Sequence, residues 1–301
     1  MIDITIEIFS IVPLSQYSFC ILFNSNCKES YSLNKMFKSM KSQKVLITGA
    51  SKGIGKAIAI SLFNLGYHVI GTSRNPDKIK DKINGIEYIQ LDLLDKKSID
   101  ECIQKVGIID ILINNAGQSQ IGAAEEVPLE KVKDLFQINL FGIIKLTQGF
   151  LPGMIQNNNG FIINIGSLAG KFAIPFQSSY VASKFALCGF TWSLRNEVMK
   201  HGVKVVMLDP NDINTTIQPE IFLPKNTRYK NELSKMMAAR AKSMSNASPP
   251  AIVAKEVMKI LKKKNPKPFY AVGGMAPLLL FFKRFLPDKT VESILKKNYD
   301  L

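Results

Sequence analysis

Tyr180 and Lys184 stand four residues apart in the stretch SSYVASKFA, residues 178–186. On a helix that spacing puts both side chains on one face, about 6 Å apart along the axis. Two readings fit: an exposed aromatic beside a solvated lysine, or a proton-transfer pair in which an ammonium group activates a phenol. A free tyrosine titrates near ~10, so activation at neutral pH asks for roughly three units, or about 4 kcal/mol. A positive charge one turn away works in that direction. The spacing alone leaves both readings open.

A second cluster is TGASKGIG, residues 48–55, where Gly49, Gly53 and Gly55 are spaced G-x-x-x-G-x-G around Ser51, Lys52 and Ile54. Glycines there permit a tight turn and let backbone N–H groups approach a pyrophosphate at a helix N-terminus. Such a cluster is as often a plain structural turn, but its place between a first strand and a first helix favours a dinucleotide. An NAD site carries an acid at the end of the second strand to hold the ribose hydroxyls. Here Ser73 and Arg74 occupy that place, and no carboxylate follows until Asp77. Arg74 and Lys52 could be solvated surface residues; together, and without the acid, they favour the 2′-phosphate of NADP(H). Asp92, with Leu93 beside it, ends the third strand where an adenine amino group would sit. Asn115, Ala116 and Gly117 of NNAG end the fourth, small enough for the backbone to pass beneath a cofactor.

The elements that must position these residues are legible as apolar runs. They fall at 44–50, 68–73, 86–92, 109–116, 160–167, 204–210 and 268–274, separated by helical stretches at 53–66, 95–105, 128–157, 178–200 and 250–263. Near-continuous apolar strands alternating with helices predict an α/β fold. The expected form is a single Rossmann-type doubly wound parallel sheet of about seven strands with helices on both faces. Ligands in such folds sit beyond the carboxyl ends of the strands. After Pro210 the alternation stops, and 211–250 reads as a long polar loop containing a helix, the usual form of a substrate-binding loop. A tail follows at 275–301.

Residues 1–39 do not match the rest. The apolar run 8–23 is too polar and short to span a bilayer, and Asp3 and Glu7 stand where a secretory signal would be positive. We read this segment as an extension outside the fold, with MKSQKVLITGAS at Met40 as a natural beginning.

The 301 residues carry a net charge of +15. Residues 221–301 hold seventeen Lys and Arg against five Asp and Glu. Such a field attracts nucleic acid, acidic lipid headgroups or phosphorylated substrates, or it is simply a solvated lysine-rich surface. Four scattered cysteines and two histidines argue against zinc sites and a disulfide framework, and for a reducing compartment. No metal is expected.

TGASKGIG, NNAG, Gly166-Ser167 and Tyr180-x-x-x-Lys184 together resemble the short-chain dehydrogenase/reductase family over roughly residues 43–274. The resemblance implies a dimeric or tetrameric enzyme moving hydride between a nicotinamide and an alcohol or ketone. It implies that Tyr180 is the acid/base and that Lys184 activates it and holds the nicotinamide ribose. By the same resemblance Ser167 donates to the substrate oxygen, and Asn139 is a helix-kinking asparagine that holds a relay water. Pro210, Ile213 and Thr215 match the family's nicotinamide contacts. The family's Pro-Gly after the sixth strand is here Pro210-Asn211; asparagine tolerates left-handed backbone, so the turn is expected to survive.

The stretch 122–154 and the tail resemble the branch with 17β-hydroxysteroid, retinol and acyl-dihydroxyacetone-phosphate reductases, which implies a large hydrophobic carbonyl or alcohol. Residues 277–287, PLLLFFKRFLP, suit interfacial docking with Lys283 and Arg284 at lipid headgroups, or they cover the substrate pocket or a subunit interface. The leading reading is an NADP(H)-dependent reductase of a lipid-like carbonyl, cytoplasmic and membrane-associated on that side if the tail docks. A 3-oxoacyl-carrier-protein reductase would suit the basic surface but not the long tail. A non-catalytic NADP-binding protein would not need both Tyr180 and Lys184, and no specific nucleic acid is expected.

Overall fold

The computed structural model describes residues 43–300; the extension read at 1–39 and the beginning read at Met40 lie outside them. Seven parallel strands form the main sheet: β1 (Lys44–Ile47), β2 (His68–Ser73), β3 (Glu87–Gln90), β4 (Ile111–Asn114), β6 (Gly160–Ile165), β7 (Val203–Pro210) and β9 (Phe269–Val272). Their spatial order is β3-β2-β1-β4-β6-β7-β9. Two short strands, β5 (Gln120–Ile121) and β8 (Glu220–Ile221), pair separately in parallel. The order reverses between β1 and β4, which opens a crevice at their carboxyl ends.

The central strands β1, β4, β6 and β7 are largely apolar because both faces are covered, whereas the edge strand β3 keeps Glu87 and Gln90 exposed. Val45, Ile47, Ile111, Ile113, Val206 and Leu208 pack on one side with α1 (Gly53–Asn64) and α7 (Ala251–Leu261). Leu46, Leu112 and Val205 pack on the other. That second face is covered by α2 (Lys96–Val106), α4 (Gly142–Gln156) and α5 (Ser178–Val198). Period-2 alternation thus splits one apolar run between two cores. The helix predicted at 128–157 is in fact α3 (Leu129–Phe136), a π-helical turn (Gln137–Phe141) and α4. By length and hydropathy this run could cross a membrane, but Leu135, Ile143, Leu146, Phe150 and Met154 are buried against the fold.

Beyond β7 the loop read at 211–250 carries β8 and α6 (Lys230–Ser245). The tail, to which no elements were assigned from sequence, forms α8 (Ala276–Lys283) and α9 (Asp288–Asn298).

One polar ladder runs through this apolar interior. Asn114 Nδ2 donates to Asn164 Oδ1 at 2.8 Å. Asn164 Nδ2 donates to Thr191 Oγ1 at 2.8 Å, and that hydroxyl donates to the Leu187 carbonyl at 2.6 Å. All three polar side chains have no solvent exposure, and together they join β4, β6 and α5 at one register. Each buried group left without its partner costs about 1–3 kcal/mol. Asn164→Leu is therefore expected to destabilise the protein by about 2–4 kcal/mol in chemical denaturation, and a change below about 0.5 kcal/mol would show that the ladder does not hold the helix.

Candidate active site

Helix α5 starts at the carboxyl edge of the sheet, and Tyr180 and Lys184 lie in its first two turns. Lys184 is buried, only 5% exposed. Its Nζ donates to the Ile165 carbonyl at the end of β6 at 3.3 Å and lies 5.8 Å from the Tyr180 ring centroid. Two residues further along the chain, Ser167 caps the single 3-10 turn Leu168–Gly170, its hydroxyl accepting from Ala169 N at 3.1 Å. Ser167, Tyr180 and Lys184 all line one cavity of about 870 Å3.

Burial governs the electrostatics here. It pushes the Lys184 ammonium down to about 8, while Asp209 works to raise it. Burial also raises the Tyr180 phenol; a hydrogen bond with Ser167 and the Arg240 charge oppose that, and Asp209 adds to it. The structure thus holds a lysine and a tyrosine whose protonation is set by each other's surroundings rather than by water.

Asn139 sits in the π turn and is completely buried. The i→i+5 turn, a common device at functional sites, rotates its amide toward the loop after β4. Its Oδ1 accepts from Gln118 N and its Nδ2 donates to the Gln118 carbonyl, both at 2.9 Å. The same Nδ2 also donates to Ser183 Oγ at 3.1 Å. Asn139 therefore ties the β4 loop to the turn of α5 between Tyr180 and Lys184.

At the other end of the crevice, Gly49 and Gly53 adopt left-handed backbone, φ 67° and 56°. The Thr48 hydroxyl accepts from both Asn115 N and Ala116 N at 2.9 Å, and Asn115 Nδ2 donates back to the Thr48 carbonyl at 2.8 Å. A Cβ at Gly55 would stand 2.3 Å from the Gly49 carbonyl oxygen, so only glycine lets α1 begin this close to the turn. Thr215 lies over Gly53, 3.3 Å from where a Cβ would be. These features make a cradle that fits a dinucleotide: a narrow glycine turn and N–H groups at the start of α1 that have no backbone acceptor among the described residues.

Arg74 and Lys52 are exposed, and neither has an ion-pair partner among the described residues. Asp92 Oδ1 accepts from Leu94 N at 3.0 Å, and Leu93 is buried. Ile54, Asn115, Gly117, Pro210, Ile213 and Thr215 share the cavity with Ser167, Tyr180 and Lys184. Gly49, Ser51, Lys52, Gly53, Gly55, Arg74, Asp92, Leu93 and Ala116 are not part of its lining and follow the carboxyl ends of β1 to β4 instead.

One feature departs from expectation. The left-handed residue after Pro210 is Asp212, φ 38°, and not Asn211. Asn211 N instead donates to the Val272 carbonyl at 2.8 Å, which keeps it in line with β9 and moves the turn one residue on. The tail, read from sequence as either docking at lipid headgroups or covering the substrate pocket or a subunit interface, forms a wall of the cavity: Leu279, Phe282, Leu286, Val291, Leu295 and Tyr299 all line it. Sequence reading also missed Asp209, completely buried at the end of β7; an acid in the run KVVMLDP was the available signal.

A family model described as short chain dehydrogenase matches residues 43–226. A 3-ketodihydrosphingosine reductase of Bacteroides thetaiotaomicron is 33% identical over 270 residues, covering 86% of this chain and 99% of that protein. A dehydrogenase/reductase SDR family protein 7-like of Anopheles gambiae is 34% identical, covering 84% and 82%. Among solved structures, a short-chain dehydrogenase from Streptomyces avermitilis has a TM-score of 0.72 at 29% identity, covering 85% of this chain and 95% of that one. A serine dehydrogenase complexed with NADP+ has a TM-score of 0.63 at 26% identity, covering 77% and 95%. With a glycine turn, a buried lysine beside a tyrosine and a serine opposite them on a doubly wound sheet, the chain belongs to the short-chain dehydrogenase family of oxidoreductases.

Proposed function

We propose that the protein is an NADP(H)-dependent reductase that interconverts a ketone and a secondary alcohol, or an aldehyde and an alcohol, on a hydrophobic, lipid-like substrate. The observation that carries this reading is the cavity: Ser167 and Tyr180 line it together with the apolar side chains of Phe172, Ile174, Met236, Leu279 and Leu295. A large apolar space with a few convergent polar groups binds a large apolar molecule in one orientation. The similarity to a 3-ketodihydrosphingosine reductase supports a lipid ketone.

The chemistry follows from the side chains. The nicotinamide, when bound, supplies the hydride. Ser167 and Tyr180 both present hydroxyls to a substrate oxygen, and Tyr180 donates its proton as negative charge develops there. Lys184 keeps positive charge next to the phenolate left behind, in a site where water does not screen it. Asn139 holds the backbone that frames the pair. Gly49, Ser51, Gly53 and Gly55 would hold the pyrophosphate, Ile54, Asn115, Ala116 and Gly117 would support the nicotinamide half, and Pro210, Ile213 and Thr215 would cover it. Asp92 and Leu93 border the adenine.

Cofactor choice is assigned to Arg74, which follows the second strand where an NAD site carries an acid, and to Lys52 in the glycine turn, both exposed and without an ion-pair partner among the described residues. The apolar wall also has an outer side. Phe281, Phe282 and Phe285 are 59%, 52% and 67% exposed and pack edge to face, with Arg284 exposed beside them. Lys283, read from sequence as a headgroup contact, instead turns inward, its Nζ donating to the Lys171 carbonyl and lying 5.0 Å from the Phe172 ring centroid. This side is suited to an anionic bilayer surface on the cytoplasmic side, from which a lipid could reach the cavity through α8 and α9.

Three measurements check these assignments. Tyr180→Phe is expected to lower kcat for NADPH oxidation against a long-chain ketone by about 10²–10⁴-fold with NADPH affinity retained; equal activity would remove Tyr180 from the chemistry. Arg74→Asp should shift the NADPH/NADH preference in kcat/KM by about tenfold or more toward NADH, and an unchanged ratio would place 2′-phosphate recognition elsewhere. Co-sedimentation with phosphatidylserine vesicles, weaker at high salt, should be lost in the double variant Phe281→Ser/Phe285→Ser; equal binding to phosphatidylcholine, or none, would leave α8 as a cavity wall only.

A further inference from the structure

Asp209 is the only charged side chain besides Lys184 among the fully buried polar residues described. It stands near the end of β7, beside the end of β6. One carboxylate oxygen, Oδ1, accepts from Ser167 N at 3.1 Å. The other, Oδ2, is buried with no hydrogen-bond partner among the described residues. The space for this carboxylate depends on the neighbouring strand: a Cβ at Gly166 would stand 1.9 Å from Oδ1. Any other residue at 166 would expel it.

The charged and titratable groups facing Asp209 are few. Lys184, Tyr180 and Cys188 face it from α5, and Lys171 from the loop after the 3-10 turn. Lys171 is itself held, its Nζ 2.7 Å from Cys188 Sγ and 4.1 Å from the Trp192 ring centroid. A carboxylate kept only to accept one N–H could be a neutral amide at far lower desolvation cost. An acid with a free buried oxygen points to use of the charge.

We propose that Asp209 is a positioning residue of the active site: it holds the backbone of Ser167 and supplies the buried counter-charge of Lys184, and so sets the pH range over which Tyr180 transfers its proton. This rests on the reductase reading of the same site. Burial pushes the Asp209 carboxyl up to about 7, against the opposing pull of Lys171, Lys184 and the Ser167 N–H. Above that pH it is charged and keeps both Lys184 and Tyr180 protonated to higher pH, since it raises each of them. Without it, both lose their protons earlier. The alkaline limb of carbonyl reduction then moves to lower pH.

The test uses the full chain with NADPH and whichever carbonyl compound the wild type reduces fastest, so that inactivity on long-chain ketones counts against the proposed substrate and not against Asp209. In Asp209→Asn the amide oxygen still accepts from Ser167 N while the charge is gone. Its alkaline limb in kcat/KM should move down by about half a pH unit or more, with kcat at its best pH within about fivefold of wild type. Asp209→Ala, which loses the Ser167 bond as well, should fall at least about tenfold further in kcat.

A second readout needs no cofactor. The folded-state carboxyl lies above its ordinary 3.8, so its stabilising protonation is complete below that value and is lost as pH rises through about 7. The melting temperature of the cofactor-free wild type should therefore rise, relative to Asp209→Asn, as pH falls from about 8 to about 5. An alkaline limb in Asp209→Asn equal to that of wild type would overturn the role of the charge. Equal kcat in Asp209→Asn and Asp209→Ala would overturn the hold on Ser167. An Asp209→Asn protein that neither melts cooperatively nor binds NADPH, read by fluorescence, would overturn the proposal in favour of a purely structural carboxylate.

Discussion

Three buried neutral polar side chains, two in the sheet and one on the helix packed against it, decide where the chemistry can happen. Asn114, Asn164 and Thr191 hydrogen-bond in sequence from β4 through β6 to α5. Apolar packing alone would let α5 slide along the sheet by small steps at modest cost, because leucine and valine surfaces are forgiving of register. Directional bonds between buried groups are not forgiving, since each wrong register leaves donors and acceptors unpaired. Tyr180 and Lys184 inherit their place from this. Thr191 lies two helical turns beyond Lys184, and fixing it against Asn164 fixes the helix start at the carboxyl edge.

The site is built from the same tension between burial and charge. Lys184 and Asp209 are both buried ionisable groups, each shifted toward neutrality by desolvation, Lys184 pulled back by Asp209 and Asp209 pulled back by Lys171 first and then by Lys184. The sheet brings them together because β6 and β7 are neighbours whose carboxyl ends carry Ile165, Ser167 and Asp209 within hydrogen-bond reach of one another or of α5. Such groups cost stability wherever they sit, and their concentration at one end of an otherwise apolar sheet is the signature of a working site.

Much of this was open to reading in the residues. Seven apolar runs matched seven strands because a strand covered on both faces has no polar alternation to hide. Tyr180 and Lys184 stood out by a spacing that left two readings open, and the role of Ser167 came only from the family resemblance. Other features were not. Asn114 and Asn164 appear in sequence as polar breaks in apolar runs, and nothing local says that they face each other. The π turn at Gln137–Phe141 leaves the apolar pattern of a long helix unbroken, so one helix was expected where there are two. The shift of the left-handed residue from Asn211 to Asp212 depends on the Asn211 bond to the Val272 carbonyl, a contact sixty residues distant. In the tail, PLLLFFKRFLP is so uniformly apolar that its helical period is masked.

The wall formed by α8 and α9 carries a consequence for how the molecule comes into being. During synthesis the glycine turn, the sheet strands and the Tyr180 helix leave the ribosome before residue 276. The sheet and the Tyr180 helix do not draw on those two helices for their own strand pairing, and without them the space beside Tyr180 lies open to water on one side. Until the last two helices have folded back, that space has no apolar enclosure to offer. Holding a cofactor and holding a substrate are in this sense separate acquisitions, made in chain order.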